Sequence, residues 1–510
     1  MDGNNMRTFI FMVLLSLGLS GCPRLGPDFA RPGSPVAVPA QFQNAAGGAA
    51  LPFHDDPWWR RFNRPELDRL VAQALTTNLD LKKAAATVLQ LRARLVATHA
   101  ERAPQLGLEA QAGRAQQAFN LPGLGAAAEP QTYITESYNL ALAASFEVDL
   151  WGRLARASEA GVADLLAAEE NRLALAQTVT AEVVALYLQI EALEGRLEIA
   201  RRSVESYRNS LEFVMGRYQS GLVSILDVRQ ARRTLAQGEA VLPALRRELG
   251  TSTQQLHVLV GDYPLAVAPG SSAVLDYQPL PEVPAGLPSE LLERRPDLRA
   301  AEARLQAANA RIGAARAGRF PRLSLTGQYG YSSSELSRLI EPQSEIYQLA
   351  AGLTQALFDA GRLRAVEDEA RAAYEQAAAD YAAAVLNAFF DVEKALLTRR
   401  EELERLERLR TFRDEALETQ RVAQNRYVQG LVDYLTVLNA QQTRFQAEDQ
   451  VVLVELAVLT NQVALHRALG GGWADPGPVG SVGSTRPQSP APIAPVASRP
   501  RAGREPTRSE

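Results

Sequence analysis

The sequence predicts a mainly α-helical protein with a small β part, built from two internal structural repeats. The segment 217–223 (Arg-Tyr-Gln-Ser-Gly-Leu-Val) returns at 426–432 as Arg-Tyr-Val-Gln-Gly-Leu-Val. Two stretches of about 67 residues contain no proline, and a pair of shorter stretches with alternating apolar and polar residues precedes each of them. A repeat of this size indicates one structural unit that packs against its own copy.

The N-terminus carries a predicted secretory signal at 1–21. Arg7 precedes an apolar run at 9–19, which leads into Leu-Ser-Gly-Cys at 19–22. The run is too short to span a bilayer, which takes ~20 apolar residues. Leu-Ser-Gly-Cys resembles a bacterial lipobox and predicts a covalent lipid on Cys22; the alternative is an ordinary signal with an incidental cysteine. Several acyl chains, at ~0.8 kcal/mol per buried CH₂, anchor a protein firmly.

The first repeat is predicted from local signals. Proline suits the first turn of a helix and is disfavoured inside one. Alternation with a period of two predicts strands with one apolar face, and 67 helical residues extend ~100 Å. The predicted elements are a helix from Pro65 that ends before Pro104, strands at 105–119 and 132–150, a long helix from Gly152 to about Tyr218, and a return helix from about Ser224 to Val260.

The second repeat has the same order with a shorter strand pair. Pro104 matches Pro321 at an offset of 217 (321 minus 104), whereas Gly152 matches Gly361 at 209 (361 minus 152). We therefore expect eight residues to be missing from the loop between the strands. The predicted elements are strands at 322–333 and 345–358, a long helix from Gly361 to Tyr427, and a return helix that ends at Leu469.

The remaining segments lack periodicity. Residues 22–64 are rich in proline, glycine and alanine and predict an extended arm, with Trp58 and Trp59 as its packing anchor. The tail is rich in glycine, proline and serine, a composition typical of disorder. The predicted division is a signal at 1–21, an arm at 22–64, repeats at 65–261 and 289–470, a proline-rich connecting segment at 262–288, and a disordered tail at 471–510.

Four strands are too few to close a membrane barrel, which needs at least eight because open edges in lipid leave backbone groups unpaired. If these strands cross a membrane, two protomers supply eight strands and three supply twelve. The long helices also require coiled-coil neighbours, because a thin chain cannot cover their apolar faces. No segment after the signal is predicted to be a transmembrane helix.

Composition excludes several function classes. A net charge of −4 over 510 residues argues against a nucleic-acid-binding chain. The sequence has no nucleotide-binding loop and no His-Glu-x-x-His motif, so we predict no enzyme activity. His257 and His466 recur at the same offset, but two histidines at equivalent helix ends are more often structural than metal ligands. We predict no metal and no cofactor apart from the lipid on Cys22.

Several separated motifs carry a resemblance to a known family. They are Gly-Pro-Asp-Phe-Ala-Arg-Pro at 26–32, Trp-Trp at 58–59, Asn-Leu-Asp-Leu at 78–81, Arg-Arg-Pro-Asp-Leu at 294–298, Phe-Pro-Arg-Leu-Ser-Leu-Thr-Gly at 320–327, and both Arg-Tyr-x-x-Gly-Leu-Val turns. Between Cys22 and about Gly470 the chain resembles the outer-membrane efflux channels of the TolC/OprM type, in the lipoprotein branch that partners resistance-nodulation-division pumps.

The resemblance implies a homotrimer in the outer membrane. Twelve strands would form a membrane β-barrel, and twelve helices would form a long periplasmic α-helical barrel with the segment 262–288 in a belt around it. The helical hairpin tips would dock a periplasmic adaptor protein that is bound to an inner-membrane transporter. The implied function is a passive, lipid-anchored exit channel of a tripartite pump for drugs or other toxic small molecules.

The turns have a local physical basis. Gly221 and Gly430 suit a left-handed helix end, where a side chain costs ~1 kcal/mol. Ser224 and Asp433 suit the following N-caps, and a carboxylate at Asp227 favours the helix N-terminus. By resemblance, the adaptor-docking residues are Arg217, Tyr218, Gly221, Leu222, Val223, Arg426, Tyr427, Gly430, Leu431 and Val432.

The resemblance also implies a periplasmic constriction just beyond the turns. Related channels often carry an acidic residue where this chain has Asn439, so an acidic ring would come from Asp227 or Asp433 instead. Three such carboxylates around an axis attract cations. The predicted constriction residues are Leu226, Asp227, Asp433, Leu435 and Asn439.

Three other classes remain open at this point. A periplasmic adaptor usually carries one helical hairpin and mixed β domains, which the duplicated hairpins and strand pairs do not match. A type I protein-secretion outlet shares the fold, although the lipobox and the arm favour the small-molecule branch. A non-channel periplasmic coiled-coil lipoprotein would not need the four strands.

Overall fold

The computed structural model describes residues 24–31, 33, 38–39, 41–44, 57–119, 131–265 and 288–471. The predicted signal, Cys22, most of the connecting segment and nearly all of the tail lie outside these residues. A short 3₁₀ helix, Trp58–Phe62, precedes the main elements. The elements are α1 Pro65–Thr77, α2 Leu79–Ala100, β1 Gln105–Phe119, β2 Gln131–Val148, α3 Arg153–Gln219, α4 Ile225–Leu259, α5 Pro288–Arg294, α6 Pro296–Ala317, β3 Arg322–Ser333, β4 Glu345–Thr354, α7 Arg362–Val428 and α8 Tyr434–Ala468.

The long helices confirm the predicted duplication. Helices α3 and α7 contain 67 residues each, and the return helices α4 and α8 contain 35 each. Each long helix extends ~100 Å. The start of α7 follows the start of α3 by 209 residues (362 minus 153), the offset of the sequence repeat.

The single helix predicted from Pro65 is wrong, because Asn78 divides it. Its backbone is extended at φ −55° and ψ 129°, and its side-chain oxygen accepts hydrogen bonds from the N–H groups of Asp80 and Leu81 at 3.0 and 3.1 Å. Its amide group also donates to the carbonyl of Leu259 at 2.8 Å. Asparagine is a strong N-cap, so this side chain ends α1 and starts α2 while joining both to the end of α4.

The position predicted for the missing residues is also wrong. The second strand pair is shorter because its strands are shorter, 12 and 10 residues against 15 and 18 in the first pair. The connections between the strands, 120–130 and 334–344, have equal lengths. The strand β4 also ends at Thr354, before the predicted residue 358. The four strands form one antiparallel sheet in the order β1-β2-β3-β4.

The helices form two rows that share α3 and α7. Near the sheet the order is α2-α3-α6-α7, and in the far half it is α4-α3-α8-α7. Helix α7 therefore lies at one edge of both rows, and α2 and α4 lie at the opposite edge. Nine exposed large apolar side chains on α7 include Phe390, Leu403 and Phe412, which shows that this edge helix has uncovered apolar surface.

The largest core lies midway along the rows. Trp58 and Leu67 pack there with Val184 of α3, Leu256 of α4 and Val463 of α8. This core confirms the tryptophan pair as a packing anchor. The helices α3 and α8 each contain a window long and apolar enough to cross a membrane by length and composition, contrary to the prediction of none. About half of each window is buried, because these two helices lie inside the rows and pack on several neighbours.

Candidate functional site at the helical hairpin tips

The two hairpin tips, the first at 217–227 and the second at 426–436, have the same backbone. In the first tip the N–H groups of Leu222 and Gly221 donate to the carbonyls of Arg217 and Tyr218, both at 2.9 Å. The equivalent bonds of the second tip measure 2.9 and 3.0 Å. Gly221 and Gly430 have φ values of 74° and 75°. This is the helix ending that glycine permits, and it confirms the predicted role of both glycines.

The return helices begin with different caps. In the first tip the N–H and hydroxyl groups of Ser224 both donate to the Asp227 carboxylate at 2.9 Å, within a capping box. In the second tip Asp433 itself is the N-cap, and the N–H and hydroxyl groups of Thr436 donate to it at 2.9 and 2.6 Å. The Thr436 hydroxyl and backbone bonds lower the pKa of Asp433, which keeps this exposed carboxylate ionised at neutral pH.

The environments of the two tips differ strongly in spite of the repeat. Tyr218 is 45% exposed, whereas its counterpart Tyr427 is 5% exposed. The Arg217 guanidinium lies 4.9 Å from the centre of the Tyr427 ring and 5.9 Å from that of Phe213, and its Nη1 donates to the Tyr427 carbonyl at 3.4 Å. Arg217 thus joins the two hairpins within one protomer.

The joint between the hairpins contains a group of aromatic rings. The Phe213 and Tyr427 rings lie 6.0 Å apart edge to face, and the Tyr434 ring lies 5.8 Å from Tyr427. Burial raises the pKa of Tyr427, although the charge of Arg217 opposes the shift, and burial raises the pKa of Tyr434 to about 12. Both tyrosines therefore stay neutral. Among the described residues, Arg217 is the only cation that lies over the rings of this group.

The predicted docking residues divide into an exposed group and an inward group. The side chains of Tyr218, Leu222 and Leu431 are exposed, and each leucine is about two-thirds exposed. Val223 and Val432 pack against the core between the hairpins, next to Val214 and Val437. Arg426 is exposed, unlike Arg217. The tips therefore present apolar side chains to solvent on a rigid, capped turn.

The predicted constriction residues lie on the first turns of α4 and α8. Leu226 and Leu435 are exposed, and Asn439 is exposed one turn further along α8. Asp227 is half-buried because it is part of the capping box. Their placement in a constriction stays a prediction.

Phe213 and Tyr434 are tip residues that the sequence analysis missed. A signal for Phe213 was present, since it precedes Arg217 by one helical turn and shares its face. Tyr434 follows Asp433 directly, where the first tip has Ile225. Nothing in the repeat itself marks this substitution as an aromatic contact.

The sheet has one apolar and one polar face. Register pairs place Leu108, Leu142, Tyr329 and Tyr347 in one row across all four strands. The rows on either side are also mainly apolar, apart from Glu345 at the start of β4, which accepts a hydrogen bond from the Tyr329 hydroxyl at 2.8 Å. The opposite face carries Gln105, Ser145, Thr326, Gln328 and Gln348, and a cavity of ≈ 490 Å³ lies among these five side chains. The cavity shows that the sheet is concave on its polar side.

The N-terminal arm is fixed where the sheet meets the helices. The Leu25 N–H donates to the carbonyl of Trp151, which lies just beyond β2, at 3.1 Å. The buried Arg156 donates to the Leu25 carbonyl at 3.3 Å and to the Asp28 carboxylate at 2.8 Å. Gly26 crosses Gly313 so closely that a Cβ atom would lie 2.4 Å from the Gly313 Cα.

Metal chemistry finds no support in the part of the chain that the structure describes. No group of three or more His, Cys, Asp or Glu side chains there is placed to hold a metal ion. Burial lowers the pKa of His466 to about 3, and its ring stacks on Trp58 at 5.1 Å. His466 is therefore a neutral core residue.

Comparison with known proteins identifies the family. The model of the outer membrane efflux protein family matches residues 70–262 and 287–471. The chain belongs to this family. The pyoverdine export outer membrane protein OpmQ of Pseudomonas putida is 36% identical over 90% of this chain and 96% of its own length. The cation efflux system protein CusC of Escherichia coli is 33% identical over 90% and 97%.

Solved structures agree with the family. The outer-membrane channel OprN has a TM-score of 0.79 at 30% identity, over 88% of this chain and 99% of that one. A CusC structure has a TM-score of 0.75 at 31% identity, over 88% and 100%. The protein is thus an outer-membrane efflux channel, a transport protein rather than a member of an enzyme family. This confirms the predicted fold class, the outer-membrane location and the efflux-channel function.

Proposed function

We propose that three copies of the chain assemble into the passive exit channel of a tripartite efflux pump. In this assembly the sheets form a barrel in the outer membrane and the helical rows form a periplasmic tunnel. The hairpin tips bind a periplasmic adaptor that connects the tunnel to an inner-membrane transporter. A lipid on Cys22 adds a second attachment to the membrane.

The observation that carries the proposal is the pair of uncovered edges. In the described sheet, β1 and β4 are outer strands, and a strand edge in lipid leaves its backbone groups unpaired. The helical rows are also open, with α7 at one edge and α2 and α4 at the other. Three copies close both layers at once, with twelve strands and rows of twelve helices. The family resemblance favours three copies over two.

The apolar face of the sheet supports its placement in lipid. Within β2, the residues of this face from Tyr138 to Val148 span eleven positions, which matches the ~9–11 residues of a tilted membrane strand. The arm supports the lipid anchor, because Leu25 lies beside Trp151 at the end of the sheet. Cys22 precedes Leu25 by three residues, so a lipid there reaches the same membrane surface.

The cargo is small, and the channel alone does not select it. Relatives of similar identity to this chain are named for pyoverdine export, toluene efflux and cation efflux. Because similar channels serve three unlike cargoes, we infer that the transporter and adaptor select the exported compound. These names favour the small-molecule pump over a protein-secretion outlet.

The assembly is tested by mass and conductance. The purified, lipidated protein is expected to have three times the mass of the 55.4 kDa chain, less its signal, and to conduct ions in planar bilayers. A monomer without conductance contradicts the channel and favours the coiled-coil lipoprotein. A Cys22→Ser variant is expected to lack the lipid by mass spectrometry, and a lipid retained in that variant contradicts the anchor at Cys22.

Docking is tested at the exposed leucines of the tips. Burial of one leucine contributes ~1.5–3 kcal/mol, and three copies multiply the loss. We expect Leu222→Asp and Leu431→Asp to weaken binding of the cognate adaptor at least tenfold in surface plasmon resonance, with trimer mass unchanged. Leu79→Asp is the matched control, since Leu79 is equally exposed but begins α2, outside the tips. Equal binding by all three variants contradicts docking at the tips.

A further inference from the structure

One carboxylate on the polar face of the sheet has no partner within the described residues. Glu109 lies in β1, is exposed, and borders the cavity on the concave side together with Gln105 and Gln348. The register places it level with Ala141 of β2, Gly330 of β3 and Ile346 of β4. All three of these neighbours across the sheet are uncharged, so nothing described at this level neutralises the carboxylate.

The other charged side chains on this face are distant. Across the described strands they are Glu147 and Arg322. Glu147 lies six positions along β2 from Ala141, ~20 Å away, and its carboxylate is bound by Arg153 at 2.8 and 3.0 Å. Arg322 lies eight positions along β3 from Gly330, ~27 Å away. At ~0.1 M salt the Debye length is ~10 Å, so neither charge offsets Glu109.

Charges on the opposite face do not offset it either. Glu136 and Arg114 form a register pair on that face, and their side chains lie 3.5 Å apart. This pair is self-neutralising and lies on the convex side of the sheet. Glu345 lies on that side too, and as a second carboxylate it cannot neutralise Glu109. Glu109 is therefore the one uncompensated charge at its level of the concave side, within the described residues.

We infer that Glu109 forms a cation-selecting ring inside the membrane part of the channel. The inference rests on the proposed trimer, in which the concave face lines the lumen. Twelve tilted strands ~4.8 Å apart enclose a barrel ~24 Å across between backbones. Side chains that point inward leave the three carboxylates within ~10 Å of the axis, about one Debye length at ~0.1 M.

Glu109 thus determines specificity at a second position, far from the hairpin tips. It favours the passage of cations and cationic molecules over anions, in addition to any constriction at the tips. Because the ring lies in a wide aqueous bore, its effect depends on screening. We expect about a threefold contribution to the cation-to-anion permeability ratio at ~0.1 M salt, and none at ~1 M, where the Debye length is ~3 Å.

The test is the reversal potential of single channels in a KCl gradient. Glu109→Gln keeps the shape of the side chain and is expected to lower the permeability ratio about threefold at ~0.1 M, with no change at ~1 M. Glu109→Arg is expected to shift the ratio towards anions. Gln111 lies on the same face one register step further, so Glu109→Gln combined with Gln111→Glu is expected to restore the ratio.

Glu136→Gln is the matched control, because it removes an equal charge from the convex face of the same sheet. We expect it to leave the ratio unchanged. Normal conductance with an unchanged ratio in both Glu109 variants overturns the inference and leaves the channel intact. An absence of conductance in the unmodified protein refutes the trimeric channel instead. A shift in Glu136→Gln as large as that in Glu109→Gln also overturns the assignment to the lumen.

Discussion

The joint between the two hairpins allows a quantitative prediction for Arg217→Ala. The guanidinium contacts the Tyr427 ring at 4.9 Å and the Phe213 ring at 5.9 Å, and it donates one long hydrogen bond of 3.4 Å to the Tyr427 carbonyl. A cation–π contact contributes ~0.5–2 kcal/mol depending on desolvation. Because the buried Nε of Arg217 has no hydrogen-bond partner in the described structure, we take ~1–2 kcal/mol for the whole side chain.

In a trimer the loss is repeated three times. About 3–6 kcal/mol less stabilisation of the joined hairpins raises the ratio of separated to joined tips by roughly 10²–10⁴. We expect larger conductance and longer open times in Arg217→Ala channels in planar bilayers. Arg217→Lys, which keeps the charge but loses the planar stack, is expected to show an intermediate effect.

The duplication supplies a matched control for this prediction. Arg426 is the counterpart of Arg217 in the second tip, and it is exposed. Arg426→Ala is therefore expected to leave conductance and open times unchanged. Equal behaviour of the two alanine variants, in either direction, would refute the argument from the joint. Trimer mass and melting temperature of both variants show whether a changed conductance reflects unfolding.

Three further predictions concern stability. Gly430→Ala should cost ~1 kcal/mol, because φ at this residue is 75°; an unchanged denaturation midpoint contradicts this. Burial holds His466 neutral in the folded protein, whereas the unfolded chain binds a proton below about pH 6.5. The free energy of unfolding therefore falls by ~1.4 kcal/mol per pH unit between about pH 6.5 and about pH 3. His466→Gln should flatten the pH profile of the melting temperature, and an identical profile refutes the assignment. Gly26→Ala should release the arm, because the new Cβ would meet Gly313; unchanged protease resistance of residues 24–31 contradicts it.

At the hairpin tips, the features that depend on nearby residues could be predicted from the sequence, and those that depend on distant residues could not. Both turns, both caps and the length of both long helices were predictable, because glycine at a left-handed position and a carboxylate at a helix start act within a few residues. The difference between Tyr218 and Tyr427 was not predictable, because the two turns have nearly the same sequence. It arises from the packing of the two hairpins against each other, in which Tyr427 of α7 meets Phe213 of α3 and Tyr434 of α8, whereas Tyr218 stays exposed.

By itself the sequence determined the duplication, the alternation of strand pairs with long helices, the capped turns and the family. These are properties of short segments and of their order, and each depends on contacts between near neighbours in the chain. Only the tertiary structure decided that Asn78 divides the first helix, that the strands rather than their loop are shortened, and that Arg217 joins the hairpins. The contacts of Asn78 with Leu259 and of Arg217 with Tyr427 join residues more than a hundred positions apart, and their approach is set by packing and not by local pattern.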